Sequence, residues 1–167
     1  MIELLNALDF SLLTWECIGA AGAVYVTTRS FDVNRKISFF NMLAGAGSWL
    51  IYSLFSSRWQ YFGSVFLSSV FVSLWAQVGA RKFKVPVTPI LIPSLYTMVP
   101  GIPIYQAVNA FLSDRLFEAG AYASKALMMA FAVALGIGIV QSFVTFLRKT
   151  KERVNEKKKI KQKEGII

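Results

Sequence analysis

The stretch Thr97-Met98-Val99-Pro100-Gly101-Ile102-Pro103-Ile104-Tyr105 sits inside an apolar run from Val87 to Leu112. That run has the length of a membrane-crossing helix, about 20 residues or more. An unbroken helix is nevertheless excluded. Pro100 and Pro103 carry no backbone N–H, and they push Val99 and Ile102 away from the α conformation. Gly101 adds backbone freedom at the same place. Two arrangements satisfy these constraints: a spanning helix with an unwound middle, or a re-entrant hairpin. Unwound backbone inside hydrocarbon is tolerated only where protein or a water-filled cavity meets its polar groups.

Four further apolar runs flank this one: about 8–28, 37–55, 61–80 and 120–147. Their lengths suit helices, and they lack the alternation of a lipid-facing barrel strand. The composition agrees. Of 167 residues, 55% are hydrophobic and 16% charged, and the mean hydropathy is +0.52. A soluble domain of this size cannot hide so much apolar surface. The expected fold is an all-α integral membrane protein of about five transmembrane helices, the fourth broken at Pro-Gly-x-Pro. The acidic start Met1-Ile2-Glu3 and the long first run do not resemble a cleavable signal.

Charge sets the expected topology. Loop one carries Arg29, Arg35 and Lys36, and loop three carries Arg81, Lys82 and Lys84. The segment 148–167 carries nine Lys/Arg against three Glu. With these three regions inside, only Arg58, Arg115 and Lys125 fall elsewhere. The positive-inside rule then places the N-terminus outside and the C-terminus in the cytoplasm. It also favours the broken span, because a hairpin would put loop three and the basic tail on opposite sides. The tail reads as a cytoplasmic anchor on anionic lipid rather than a nucleic-acid arm, since no aromatic reader accompanies its lysines.

The chain has no His and one Cys, Cys17. Imidazole-based metal sites and Ser–His or Cys–His catalysis are therefore excluded. No metal, cofactor or catalytic residue is expected. Gly45 and Gly47 lie in a helix, outside any phosphate-loop pattern.

The candidate binding residues cluster at the break: Tyr96, Thr97, Pro100, Gly101, Pro103, Tyr105, Gln106 and Asn109. Backbone N–H groups from Ile104 to Gln106 would open the second half-helix and suit a carboxylate. Glu16 is the one acid deep in an apolar run, a candidate for proton or ion coupling. Asn41, Gln77 and Gln141 suit interhelical hydrogen bonds. Trp15, Trp49, Trp59, Trp75 and tyrosines near span ends suit interfacial belts, Trp59 and Tyr61 best. Ala126, Ala130, Ala134, Gly138 and Ser142 recur every four residues, a small-residue stripe that permits close helix packing.

Ala80-Arg81-Lys82-Phe83-Lys84-Val85-Pro86, then Ile92-Pro93-Ser94, then Met98-Val99-Pro100-Gly101 and Tyr105, resemble the short membrane half of the ThrE-type threonine/serine exporters. The basic loop 29–36 followed by Leu43-Ala44-Gly45-Ala46-Gly47 matches that layout as well. Family members often carry a further proline where this chain has Thr97. The resemblance implies a secondary exporter of small amino acids or related carboxylates in the bacterial cell (inner) membrane, working by alternating access and not as an enzyme. It implies a partner, either the second membrane half of a split transporter or further copies of this chain. The alternative role is a structural subunit that stabilises another membrane protein without a substrate site of its own.

Overall fold

A computed structural model describes residues 10–56 and 61–164. Among the described residues there are six α-helices: α1 Phe10–Ser30, α2 Arg35–Ser56, α3 Tyr61–Phe83, α4 Thr88–Leu95, α5 Gly101–Leu112 and α6 Leu116–Glu164, with a 3₁₀ turn Tyr96–Met98 between α4 and α5. No strand occurs among the described residues. The protein is thus an all-helical membrane protein. Helices α2 and α3 and the portion Leu116–Thr150 of α6 are each long and apolar enough to cross a bilayer. The start of the first predicted span, Arg58 and Trp59 lie outside the described residues. Helix α6 runs on to Glu164, through the basic segment predicted as a tail. Lys, Arg, Glu and Gln are good helix formers, so nothing there stops the helix.

Side-chain hydrogen bonds fix the directions of the helices. Trp49 Nε1 on α2 donates to Glu16 on α1 (3.0 Å), and Asn41 Nδ2 donates to Thr28 Oγ1 (3.1 Å), so α1 and α2 are antiparallel. Ser68 Oγ donates to the Ser48 carbonyl, and Trp75 Nε1 to that of Phe40, which makes α3 antiparallel to α2. Tyr61 meets Met129, and Ser69 meets Ala132, so α3 and α6 are parallel. Arg29, Arg35, Lys36, Arg81, Lys82, Lys84 and Arg148 consequently gather at one end of the bundle. Two ends are closed by residues in the left-handed region: Lys84 (φ 54°) and Asp114 (φ 56°). The following N–H reaches back five residues in both, Val85 to the Ala80 carbonyl and Arg115 to that of Ala110, which caps α3 and α5.

The interior is rich in small and hydroxyl residues, with Ile90 and Met98 the largest side chains fully enclosed, while many large apolar side chains face outward. Val24, Ala44, Ser48, Ser64, Ser68, Ser69 and Val72 are buried, whereas Leu12, Leu43, Leu74, Phe131 and Phe146 are exposed. This is the arrangement expected when lipid solvates the outside and close backbone approach holds the inside. A Cβ on Gly45 would strike Val24 of α1, and one on Gly136 would strike Ser69 of α3.

The α6 face contacting the bundle takes only Ala126 from the small-residue stripe. Ala126, Met129, Ala132, Gly136 and Val140 are buried. Ala130, Ala134, Gly138 and Ser142 are exposed. Each four-residue step advances a helix by about 40° beyond a full turn, so five such positions wind round the axis. The buried set steps by three, three, four and four and stays on one face. Bond-forming polar residues also sort by place: Asn41 joins three helices, Gln77 is half-buried, and Gln141 is exposed.

Asn41 has a specific task. Pro93 has no N–H, so the carbonyl four residues back, Pro89, loses its helical donor. Asn41 Nδ2 donates to it from α2 (3.3 Å). Asn41→Leu should leave two buried acceptors without that donor and destabilise the protein by about 1–2 kcal/mol, read as a lower thermal midpoint in detergent. Gly136→Val should cost a further-reaching ~1–3 kcal/mol through overpacking against Ser69. Gly138→Val, where the added atom meets nothing within 4 Å, should leave the midpoint of the isolated chain unchanged.

Candidate substrate site at the helix break

The two prolines of the break act on the backbone in the same way as Pro93. Pro100 withdraws the helical donor of the Tyr96 carbonyl, and Pro103 that of the Val99 carbonyl. The Val99 N–H turns back to Tyr96 O (3.3 Å), and the Gly101 N–H to Val99 O (2.7 Å). Val99 is extended (φ −66°, ψ 132°), and Pro100 sits at φ −75°, ψ 46°. The second contact is thus an inverse γ-turn centred on Pro100. The chain leaves α4 at Leu95, about half-way up the bundle, and re-enters a helix at Gly101.

Pro103 belongs to the first turn of α5 rather than to the break. A first-turn residue needs no helical N–H, so proline costs nothing there. The half-helix also offers fewer donors than expected. Ile104 N–H is committed to the Pro100 carbonyl (3.1 Å), and Tyr105 and Gln106 lie one turn inside the helix, where their N–H groups point back along it. Gly101 has no positive φ, and nothing crowds its missing Cβ.

A cavity of about 100 Å³ opens beside the break, lined by Trp49, Tyr52, Tyr61, Thr97, Ile102 and Met129, with Met98, Val99 and Pro103 completing the wall. Its volume is roughly that of three liquid waters. Four elements supply the wall: α2, α3, the 3₁₀ turn with the start of α5, and α6.

The cavity's polar atoms have defined roles. Ser48 Oγ donates its one proton to the Gly45 carbonyl (2.9 Å). In the Ser48–Thr97 contact (3.3 Å) the Thr97 hydroxyl therefore donates. That leaves Thr97 Oγ1 as an acceptor on the cavity wall. Tyr61 OH donates to Met129 Sδ (2.8 Å), a weak acceptor that a better one displaces at small cost. The Tyr52 and Tyr61 rings meet edge-on at 6.1 Å. Trp49 lines the cavity while its N–H holds Glu16. Glu16 itself is exposed on α1.

The sequence-predicted residues therefore divide. Thr97 and Pro103 line the cavity. Pro100 lines a neighbouring groove together with Ala130 and Ala134 of the small-residue stripe. Gly101, Tyr96, Tyr105, Gln106 and Asn109 face outward, Tyr105 being 70% exposed. Trp49, Tyr52, Tyr61 and Met129 escaped sequence reasoning as site residues. Trp49 and Tyr61 carried only the signature of an interfacial belt, and their convergence needs the helix pairing.

A family model described as threonine/serine exporter, ThrE, matches residues 16–143. This chain belongs to the ThrE threonine/serine exporter family. The match runs from Glu16 to Phe143, and so takes in α1 to α5, the break and the apolar part of α6. No curated protein and no solved structure matches the chain. Membership in the ThrE family makes the chain a component of amino-acid export across a membrane, a transport family rather than an enzyme family.

Proposed function

We propose that the chain binds threonine, serine or a similar small carboxylate-bearing metabolite in the cavity at the α4–α5 break, and passes it outward by alternating access. The observation that carries this reading is the convergence of Thr97, Tyr52 and Tyr61 on a cavity of about 100 Å³ within an otherwise small-residue and apolar bundle. Polar groups at membrane depth mark solute pathways by default, and broken helices recur at the substrate sites of secondary transporters. Thr97 Oγ1 would accept from the substrate ammonium or hydroxyl. Tyr61 would exchange its thioether partner for the substrate carboxylate, which is the stronger acceptor.

Glu16 is the candidate coupling group. Its link to the cavity is the Trp49 indole, which contacts both. Protonation of Glu16 would weaken that charge-assisted hydrogen bond and release a wall residue of the cavity. The orientation follows the charge: the basic end is cytoplasmic, on the inner face of a bacterial cell membrane, with the N-terminus outside.

The face for a partner lies on α5 and α6. Among the described elements α5 packs extensively on α6 alone. Tyr105, Gln106 and Asn109 are exposed on α5, and Ala130, Ala134, Gly138 and Ser142 on α6. A second membrane half, or a second copy of this chain, would cover them. If the chain instead only stabilises another membrane protein, bulky changes on the α6 stripe abolish complex formation while changes in the cavity are silent.

Cells preloaded with labelled serine or threonine test the site. Thr97→Phe and Tyr61→Phe, both at cavity-lining residues, should each reduce efflux at least about tenfold at equal membrane abundance, the scale of losing one or two placed polar contacts. Unchanged efflux would transfer the site elsewhere. In wild type, acidifying the outside should speed efflux by proton exchange. The Glu16→Gln profile should be flat, and parallel profiles would remove Glu16 from coupling.

A further inference from the structure

The basic end of the bundle holds a second concavity, remote from the break. It measures about 680 Å³ and lies between the C-terminal turn of α3, the α3–α4 loop and α6. Gln77 and Arg81 line it from α3, and Val144, Leu147 and Arg148 from α6, with Val87 closing one side. Gln77 and Arg81 are one turn apart, as are Val144 and Arg148, so each pair shares a face. Two guanidinium-bearing residues from different helices thus border one cleft whose remaining wall is largely aliphatic. No carboxylate among the described residues lines it.

Depth gives the cleft its meaning. On α6 the apolar run ends at Leu147, and Arg148-Lys149 begin the charged segment. On α3, Arg81 and Lys82 occupy the last turn. The cleft therefore straddles the boundary between hydrocarbon and headgroup, aliphatic on one side and cationic on the other. Lys82 is drawn away to the Phe40 and Phe83 rings, 5.8 Å from each centroid. Arginine rather than lysine suits planar, bidentate phosphate recognition.

We infer that this cleft is a discrete binding site for an anionic phospholipid, with the phosphate between Arg81 and Arg148, Gln77 donating to the headgroup, and an acyl chain along Val87, Val144 and Leu147. Basic pockets between transmembrane helices on the cytoplasmic side take such headgroups. A free phosphate would use the guanidiniums but leave the aliphatic wall unfilled. A bound lipid would also join α3 to α6 at the end opposite the break, in addition to the Ser69–Gly136 contact. The inference depends on membrane insertion alone and holds or fails independently of which solute is exported.

The test is native mass spectrometry of the full chain extracted from bilayers of equal phosphatidylglycerol and phosphatidylcholine. One phosphatidylglycerol should be retained in preference to phosphatidylcholine. Arg81→Gln with Arg148→Gln should cut that retention at least about tenfold, and Arg81→Lys with Arg148→Lys by an intermediate amount, with helix content unchanged by circular dichroism. Lys157→Gln with Lys158→Gln removes the same charge from beyond the cleft. Those positions lie about 13 Å further along α6, outside a Debye length of about 8 Å, so retention should change less than twofold. Equal loss in the arginine and lysine pairs, or retention without headgroup preference, would reduce the site to diffuse attraction and overturn it. Thermal stabilisation by inorganic phosphate equal to that by phosphatidylglycerol would replace the lipid with a soluble phosphate and overturn it as well.

Discussion

A carbonyl inside a bilayer cannot turn to water when its donor is missing. Pro93, Pro100 and Pro103 each remove one donor from the same apolar segment, orphaning the carbonyls of Pro89, Tyr96 and Val99. The protein answers these deficits in two ways. Pro89 O is met from another helix by Asn41. Tyr96 O and Val99 O are met by tightening the chain itself into a 3₁₀ turn and a γ-turn. The first answer ties α4 to α2. The second bends the chain away from the axis α4 had begun.

The division of the molecule follows from those answers. Up to Thr97 the segment is fastened to α2, by Asn41 at the Pro89 carbonyl and by Ser48 at Thr97. Beyond Pro100 it leaves the four packed helices and runs along α6. The cavity lies at this seam, with one wall on the fastened part and the other on Ile102 and Met129. In the exporter reading, a solute bound there touches both bodies, so its binding energy can bias their relative position. Small residues make the seam possible. Ser69 reaches α6 only because residue 136 has no side chain.

Much of this was legible without coordinates. The apolar runs pointed to an all-helical membrane protein, since their length and lack of alternation hardly depend on packing, whereas the end of α6, at Glu164 rather than near Leu147, was not marked by hydropathy. The prolines marked a break because the missing N–H is a property of the residue. Its position was harder to read. Pro103 looked like part of the disruption, whereas first-turn proline is compatible with a helix, and the break ends at Gly101. The small-residue stripe did not tell which face of α6 met α3, because a strict spacing of four is not a straight line on a helix. The cavity was hidden more deeply. Trp49, Tyr52, Tyr61 and Met129 come from three helices, and nothing in one sequence states which helices adjoin.

Exposure has to be judged differently on the two sides of this chain. Phe117, 92% exposed, and Leu112, 78%, need no partner, because lipid solvates them as well as protein does. Gln106 and Asn109 are another matter. Their amides lie one turn apart on the outward side of α5, and in the exporter reading α5 lies within the membrane, where hydrocarbon offers them no hydrogen bond. Snorkelling is limited for such short side chains. The same two helices carry the uncovered small residues at Ala130, Ala134 and Gly138, where a helix backbone can come close. Polar groups that need partners and small residues that admit a backbone thus coincide on the part of the chain least bound to its own bundle. A partner seated on α5 and α6 would satisfy both, and it would close the groove beside Pro100 at the break.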